Sequence, residues 1–297
     1  MTKTQSIFKS ELGRKQFISA YDMVLEEWTI PFESKFITTK FGDIHVIISG
    51  PLDAPPLVLL PGMTGSSTMW TFNISQISEK YRTYCIDTPN DFGKTELTSP
   101  ILTIDEYEEC LNEVVEKLGI NKFNLLGHSF GGFLATNYAM NHQEKIKSLL
   151  LLAPACSVLP LTVKFYFKVF PAMIFPTTKR ILSAWSWFLA KGNNLEILGD
   201  TYLNQLVISY THCRPTNRVQ PRVFKDSELQ KIKNRTLFLV GAEEVIYPAI
   251  KAENRIKNSL ENVETHIIPR AGHLVNVEQK ELVNKLILDF LDRSHSQ

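Results

Sequence analysis

The feature that most constrains this chain is a serine held between two glycines, where an apolar run meets a helical pattern. Residues 123–126 are apolar except for one asparagine, Gly127-His128-Ser129-Phe130-Gly131 follows directly, and residues 130–140 read as a helix. In a strand–turn–helix setting, the pattern G-x-S-x-G holds its serine in a strained conformation with the hydroxyl pointing out of the sheet. We therefore predict a strand, a sharp turn at Ser129 and a helix.

The chemistry of a nucleophilic serine explains the spacing of the glycines. Gly127 and Gly131 lack a Cβ, so a strand and a helix can pass close beside the serine. The backbone N–H of Phe130 and the positive end of the new helix lie where an oxyanion would form. The alternative is a Gly-Ser turn without chemistry, since the pattern occurs by chance in about one chain in twenty of this length.

Strands alternate with helices along most of the chain, after an initial hairpin around Phe41-Gly42-Asp43. The predicted strands cover 36–40, 44–49, 57–60, 84–86, 123–126, 146–152, 235–240 and 263–268. The predicted helices cover 8–28, 104–118, 130–140, 248–256 and 276–291. This alternation predicts an α/β fold with a doubly wound, mostly parallel sheet. Catalytic groups in such sheets lie at the carboxyl ends of strands.

The alternation stops between residues 157 and 233, where aromatic, helix-like segments replace buried strands. We interpret this stretch as a helical cap inserted over the carboxyl edge of the sheet. The predicted organisation is an N-terminal helical segment (1–35), a core (36–156 and 234–297) and the cap (157–233).

A serine nucleophile needs a base that takes its proton and an acid that orients the base. His273 stands in Ala271-Gly272-His273-Leu274 after the last predicted strand, at the same sheet edge as Ser129. A lone histidine in a loop is more often a surface residue, but this placement favours a base. We expect His128 to point to the other side of the turn and to be structural.

Two adjacent glutamates compete for the role of the acid after the strand at 235–240. Adjacent residues in an extended loop point in opposite directions, so only one of them is expected to serve. The chain order serine, acid, histidine fits this fold. We favour Glu244, with Glu243 facing solvent. Asp87, at the end of an earlier strand, is the rival acid, and its alternative role is a cap or turn residue.

Taken together, these motifs make the chain resemble the α/β-hydrolase family with a helical cap. The resemblance covers nearly all of the chain after residue 36. The resemblance rests on the Pro61-Gly62 turn, the elbow at Ser129, the Gly241 to Pro248 segment and the Gly272-His273 loop. It implies acyl transfer to water, with Ser129 as nucleophile, His273 as base and Glu244 as acid. The family commonly has His-Gly at the turn and Asp as the acid, so this chain departs from both patterns.

The same resemblance implies that the backbone N–H groups of Met63 and Phe130 bind the oxyanion. Met69 and Trp70, just after the turn, are candidate pocket residues. The cap is rich in Phe, Tyr, Trp, Leu and Met, which favours an apolar acyl or alcohol group. We expect a carboxylesterase acting on a small or medium apolar ester.

Several other functions share such a triad. They are a carbon–carbon bond hydrolase for a diketone, an aminopeptidase, a thioesterase and a cofactor-free haloperoxidase. A hydrolase-like protein that binds a small apolar ligand without catalysis is the rival from another class. Serine rather than aspartate at the elbow argues against haloalkane dehalogenase and epoxide hydrolase chemistry. We predict no cofactor and no metal, because no H-E-x-x-H, P-loop or G-x-G-x-x-G motif is present.

The bulk composition of the 297 residues is that of a globular protein, with 44% hydrophobic and 21% charged residues. A net charge of +1 gives no indication of nucleic acid binding. Four scattered cysteines read as reduced thiols, and the N-terminus lacks an apolar signal region, so a cytoplasmic protein is expected.

The cap itself is basic, with eleven Lys or Arg and four Asp or Glu from Ser157 to Lys233. One hypothesis is docking on an anionic membrane surface. The favoured alternative is a solvated positive face with its aromatic side chains turned inwards. The oligomeric state is not predicted.

Overall fold

The computed structural model describes residues 6–216 and 219–293. The predicted segments 1–35, 157–233 and 234–297 therefore each include a few residues that lie outside the described ones. The strands in these ranges are β1 (Phe32–Thr39), β2 (Gly42–Ser49), β3 (Pro56–Leu60), β4 (Arg82–Ile86), β5 (Glu96–Leu97), β6 (Phe123–His128), β7 (Ile146–Leu152), β8 (Arg235–Gly241) and β9 (Val263–Ile268). They form one sheet in the order β1-β2-β4-β3-β6-β7-β8-β9, with β5 beside β2.

Helices follow most of the strands. They are α1 (Glu11–Glu26), α2 (Ile74–Ile77), α3 (Ile104–Lys117), α4 (Phe130–Asn141), α5 (Val163–Ile174), α6 (Thr178–Trp187), α7 (Asp200–His212), α8 (Asp226–Leu229), α9 (Ala249–Ser259), α10 (Val275–Glu278) and α11 (Lys280–Asp292). Three short 3₁₀ segments cover Ser67–Phe72, Gln143–Lys145 and Leu195–Leu198. No helix within the described ranges has the length and apolar character needed to cross a membrane.

The sheet confirms the predicted fold class. All neighbouring pairs from β4 through β3, β6, β7 and β8 to β9 are parallel, whereas β1, β2 and β5 form antiparallel pairs. The hairpin strands are longer than predicted, because β1 is an edge strand with mostly exposed residues and little apolar signal. The two-residue β5 was not predicted, and the last predicted helix is broken at Gln279.

The central strands are buried on both faces, as continuous apolar runs in a parallel sheet should be. Successive side chains of a strand point to opposite faces. In β3, Leu57 and Leu59 join one core cluster, and Val58 and Leu60 join the other. The same alternation in β7 divides its leucines between the two clusters. Two helical layers therefore fix the sheet, and the loops at its carboxyl edge are held from both sides.

The N-terminal helix α1 connects the sheet to the segment between β7 and β8. The Ser10 hydroxyl caps it by accepting a hydrogen bond from the Gly13 N–H at 3.0 Å. Its buried face, which includes Phe17 and Val24, packs against α7. Just beyond the helix, the Trp28 indole N–H donates to the Ser49 hydroxyl at 2.9 Å.

Helices α5 to α8 occupy the chain between β7 and β8, where the sequence analysis places a cap. Within the described residues of this stretch, the one strand-like contact is an isolated bridge from Cys213 to Phe8. Several of these helices contribute side chains to a cavity above the carboxyl edge of the sheet. The division into domains remains a proposal.

Candidate active site

Four loops at the carboxyl ends of parallel strands meet at one place. The loop after β3 carries Met63, the turn after β6 carries Ser129, and the loops after β8 and β9 carry Glu244 and His273. In an open α/β sheet, this edge is where ligands bind. The chain order of the strands differs from their order in the sheet, so residues far apart in sequence become neighbours here.

Ser129 stands in a strained turn between β6 and α4. Its backbone has φ 51° and ψ −114°, a region that non-glycine residues rarely adopt. The Ser129 N–H donates to the Leu152 carbonyl at 3.0 Å, and its own carbonyl accepts from the N–H groups of Phe133 at 3.0 Å and Ala155 at 2.9 Å. These bonds hold the strained conformation, and the predicted sharp turn is present.

The glycines on either side are required by close backbone contacts. A Cβ added at Gly127 would lie 2.2 Å from the Gly131 carbonyl oxygen. A Cβ at Gly131 would lie 2.2 Å from the Leu60 carbonyl oxygen. The strand and the helix therefore pass as close beside Ser129 as the sequence analysis expects.

Ser129, His273 and Glu244 form a continuous hydrogen-bonded chain. Ser129 Oγ lies 2.9 Å from His273 Nε2, and His273 Nδ1 lies 2.9 Å from Glu244 Oε2. The Glu244 side chain is fully buried, and its Oε1 accepts the N–H groups of Val245 at 2.8 Å and Ile246 at 3.0 Å. Because the Nδ1–H of His273 donates a hydrogen bond to Glu244, the Nε2 lone pair faces the serine hydroxyl. This arrangement can remove a proton from Ser129.

The other two candidate acids are engaged elsewhere. Glu243, which is expected to face solvent, accepts the Lys191 N–H through Oε2 at 3.0 Å in an exposed contact, because the segment after α6 passes over this loop. Asp87 is fully buried and receives His45 Nδ1 at 2.8 Å, the Tyr21 hydroxyl at 3.1 Å and the Ser67 N–H at 2.7 Å. Burial acts to raise the pKa of Asp87, yet His45 and the backbone N–H groups hold it below its usual value. Asp87 is therefore a structural anion.

Two backbone N–H groups in the loops predicted to bind an oxyanion are unpaired, and their residues line the cavity beside Ser129. Within the described ranges, the backbone N–H groups of Met63 and Phe130 have no hydrogen-bond acceptor. The residue after Met63, Thr64, has φ 59°, and its N–H donates to Asp91 Oδ2 at 2.9 Å. Asp91 thus fixes the turn that presents Met63. Asp91 lies five residues after the end of β4 and is not among the residues predicted from the sequence.

His128 is closer to the reacting groups than predicted. Its ring lies 5.1 Å from that of His273, and its Nε2 lies 3.0 Å from the His273 carbonyl oxygen, to which it donates. Burial, and then the proximity of His273, lower the pKa of His128 to about 3. His128 therefore stays neutral at ordinary pH and supports the backbone of His273. The turn at Ser129 directs its ring inwards, not to the far side of the turn.

The loop that carries His273 is held by groups from outside the sheet. The His273 N–H donates to the Phe188 carbonyl at 2.7 Å, and the Phe188 ring lies 5.2 Å from the imidazole. Glu278 Oε1 accepts the Gly272 N–H at 2.8 Å, and its Oε2 accepts the Ala190 N–H at 2.7 Å. Sequence reasoning missed Phe188 and Glu278, because contacts between distant segments leave no local pattern.

A cavity of about 250 Å³ lies above Ser129 and His273. Its walls are mainly apolar, and the segment between β7 and β8 supplies much of the lining, including Leu161, Phe165, Val169, Met173, Trp185 and Phe188. Met69, a candidate pocket residue, lines the cavity. Trp70 does not line it and is fully buried in the core, because the 3₁₀ segment that follows the turn directs its side chain inwards. Trp70 is therefore a packing residue.

No group of three or more His, Cys, Asp or Glu side chains with metal-binding geometry is found in the described part of the chain. The four cysteines are free and buried.

Known proteins that resemble this chain share its fold. A family model described as the alpha/beta hydrolase fold matches residues 55–174. The chain is 33% identical over 283 residues to the uncharacterized carboxylesterase nap of Bacillus subtilis (strain 168), covering 93% of this chain and 92% of that protein.

Two crystal structures from Bacillus subtilis superpose closely on the chain. Naproxen esterase (carboxylesterase NP) has a TM-score of 0.88 at 32% identity, covering 95% of this chain and 99% of that one. Carboxylesterase CesB (YbfK) has a TM-score of 0.87 at 30% identity, with the same coverage. The meta-cleavage product hydrolase CumD of Pseudomonas fluorescens IP01, at 20% identity and a TM-score of 0.75, covers 89% of this chain and 98% of its own and shares the fold.

Proposed function

We propose, from the premise that this chain belongs to the α/β-hydrolase family, that it cleaves a small or medium apolar carboxylic ester through an acyl-enzyme intermediate. The chain is a hydrolase, and relatives at 30% to 33% identity over most of its length are named carboxylesterases. We also propose that residues 157–233 form the cap over the site.

The observation that carries this proposal is the unbroken contact from Ser129 through His273 to Glu244. Both contacts are 2.9 Å, and both ends of the imidazole are engaged. The side chains of His273 and Glu244 are 5% and 0% exposed, so water does not compete for these bonds. A serine with a base and an orienting carboxylate is the arrangement that activates a hydroxyl for attack on a carbonyl.

In the proposed reaction, Ser129 Oγ attacks the ester carbonyl carbon while His273 Nε2 takes the hydroxyl proton. The carbonyl oxygen becomes an oxyanion and accepts hydrogen bonds from the unpaired N–H groups of Met63 and Phe130. Collapse of this intermediate breaks the ester C–O bond, and His273 returns the proton to the departing alcohol. Water then attacks the acyl-serine while His273 takes a proton from it. The bond between the acyl carbon and Ser129 Oγ breaks, His273 returns the proton to Oγ, and the carboxylic acid leaves.

The cavity supports an apolar acyl or alcohol group as the recognised part of the substrate. The side chains around the reacting groups are largely aliphatic or aromatic, including Met69, Val169 and Met173. Burial of an apolar ester group against them contributes about 0.8 kcal/mol per methylene group. An extended charged substituent would lose its hydration in this space without gaining a partner.

Hydrolysis of p-nitrophenyl esters with acyl chains of increasing length tests the proposal, with Ser129→Ala as the inactive variant. We expect turnover in the wild type, a KM that falls as the acyl chain lengthens until the cavity is full, and loss of turnover in Ser129→Ala with an unchanged circular dichroism spectrum. A folded Ser129→Ala variant with full activity would refute the mechanism.

The same assay separates the proposed esterase from its rivals. A thioester, a peptide amide and a diketone are compared with an ester of matched shape, and the largest kcat/KM identifies the reaction. A protein that binds the ester but turns over none of these substrates would be a ligand-binding protein.

A further inference from the structure

Helix α5 exposes an apolar face that its neighbours leave uncovered. Fifteen large hydrophobic side chains are exposed among the residues that the structure describes, and six of them lie within 163–175. They are Val163, Tyr166, Phe167, Phe170, Ile174 and Phe175. Phe167 is 77% exposed and Ile174 is 62% exposed. The expectation that the cap aromatics turn inwards is therefore wrong for this helix.

The spacing of these residues makes them one surface. Positions 163, 167, 170 and 174 follow the i, i+4, i+7, i+11 pattern of a single helix face. The opposite side of α5 packs inwards through the buried Val169 and Ala172. The exposed side is thus a continuous apolar ridge, which we call the α5 ridge (residues 163, 166, 167, 170, 174 and 175). A contiguous exposed apolar patch on a globular protein marks an interaction site.

The charged residues of α5 and α6 are all positive. No Asp or Glu occurs between Glu144 and Glu196, whereas Lys164, Lys168, Lys179 and Arg180 lie on α5 and α6. All four side chains are exposed, and none forms a salt bridge within 6–216 and 219–293. A protein partner would need a groove that is both apolar and acidic to match this surface. A lipid bilayer with anionic headgroups offers an apolar interior for the ridge and negative charges for the lysine and arginine side chains.

The α5 ridge also reaches the candidate active site. Tyr166 and Phe170 are about half exposed, and both also line the cavity above Ser129. An apolar molecule dissolved in a lipid surface beneath the ridge would meet the cavity wall without crossing bulk water. The position of the ridge therefore couples the surface to the site.

We propose that the α5 ridge docks the protein on the surface of a bilayer that contains anionic phospholipid, with the apolar side chains inserted among the headgroups and the cationic side chains bound to phosphate. Docking of this kind is reversible and lies in the plane of the interface. It goes beyond the proposed function and does not depend on it, because neither Ser129 nor His273 takes part.

Co-sedimentation with vesicles tests the proposal. The Ser129→Ala protein is used throughout, so that hydrolysis of lipid does not alter the vesicles. We expect it to pellet with phosphatidylglycerol–phosphatidylcholine vesicles at about 0.02 M salt and to be released at about 0.5 M salt, where screening removes the attraction between charges. Pure phosphatidylcholine vesicles should retain much less of the protein.

Variants of the α5 ridge identify the surface that binds. Phe167→Ser removes the most exposed aromatic side chain, and Lys164→Gln with Lys168→Gln removes two charges. Each change should lower the partition coefficient about tenfold. Leu52→Ser and Lys147→Gln are the matched controls on exposed sites elsewhere and should not change binding. If Phe167→Ser does not fold, Ile174→Ser provides the same test.

Three results would overturn the proposal. The first is the absence of pelleting with anionic vesicles at low salt. The second is equal pelleting of the ridge variants and the controls. The third is a dimer in sedimentation velocity that Phe167→Ser dissociates while vesicles bind nothing, which would show that a second copy of the chain covers the ridge.

Discussion

The backbone N–H of His273 donates to the carbonyl of Phe188 at 2.7 Å. This bond joins the candidate base directly to the segment that follows α6, eighty-five positions earlier in the chain. The Phe188 ring also faces the imidazole, with 5.2 Å between the ring centres. The position of the proposed cap and the position of the base are therefore not independent.

Gly272→Ala tests this connection. A Cβ at Gly272 would lie 2.3 Å from the Phe188 carbonyl oxygen and 2.9 Å from the Ala190 nitrogen, so the two segments would have to separate. We expect kcat to fall about a hundredfold, because small misplacements of catalytic groups have effects of this size. Lys191→Ala is the control in the same segment, since its side chain is exposed and its backbone N–H, which donates to Glu243, is kept. Equal kcat values for the two variants in ester hydrolysis would contradict the connection.

The adjacent glutamates provide a matched test of the acid. Glu244→Gln keeps the shape of the side chain but removes the charge that holds His273 in the correct tautomer, and we expect kcat to fall about a thousandfold or more. Glu243→Gln keeps an oxygen that can accept the Lys191 N–H and changes nothing at the imidazole, so kcat should remain within about twofold of wild type. Ester turnover at saturating substrate is measured for both variants. A larger loss in Glu243→Gln would reverse the assignment.

The buried carboxyl of Asp91 predicts a dependence of stability on pH. Burial raises the pKa of Asp91 from 3.8 to about 7, although the N–H groups of Thr64 and Phe92 favour its ionised form. Between about pH 4 and pH 7 the unfolded chain releases this proton while the native protein keeps it, so the free energy of unfolding falls as pH rises. Asp91→Asn removes that contribution.

Urea denaturation of the wild type and Asp91→Asn across this range measures the effect. The free energy of unfolding of the wild type should fall relative to that of the variant by up to about 1.4 kcal/mol per pH unit in the window. Asp91→Asn also loses the acceptor for one N–H group, which lowers the free energy of unfolding of the variant by an amount that does not change with pH. A difference that is constant from pH 4 to pH 8 would show that Asp91 ionises in the native state as it does in the unfolded chain.

The sequence predicts the fold and the central site residues because both depend on local patterns. The apolar runs of β3, β6 and β7 identify buried parallel strands, and the elbow at Ser129 has a steric reason for each glycine. His273 follows from its place after the last strand. In each case the signal lies within a few neighbouring residues.

The features that the sequence does not predict arise from contacts between distant segments. The inward turn of His128, the burial of Trp70 and the bond from Lys191 to Glu243 depend on which elements pack against these residues. The exposed face of α5 is the clearest case. Its composition is that of a core helix, and nothing in the helix itself indicates that no layer covers its outer side.

Labelling with a fluorophosphonate probe, followed by peptide mass spectrometry, tests the central claim most directly, because the probe reacts with an activated serine whatever the natural substrate is. The wild type should carry one adduct, on the peptide that contains Ser129, and the rate of labelling should fall at least a hundredfold, by order of magnitude, in a folded His273→Ala variant. An adduct on another residue, or labelling that is unchanged in His273→Ala, would contradict a hydroxyl activated by this histidine.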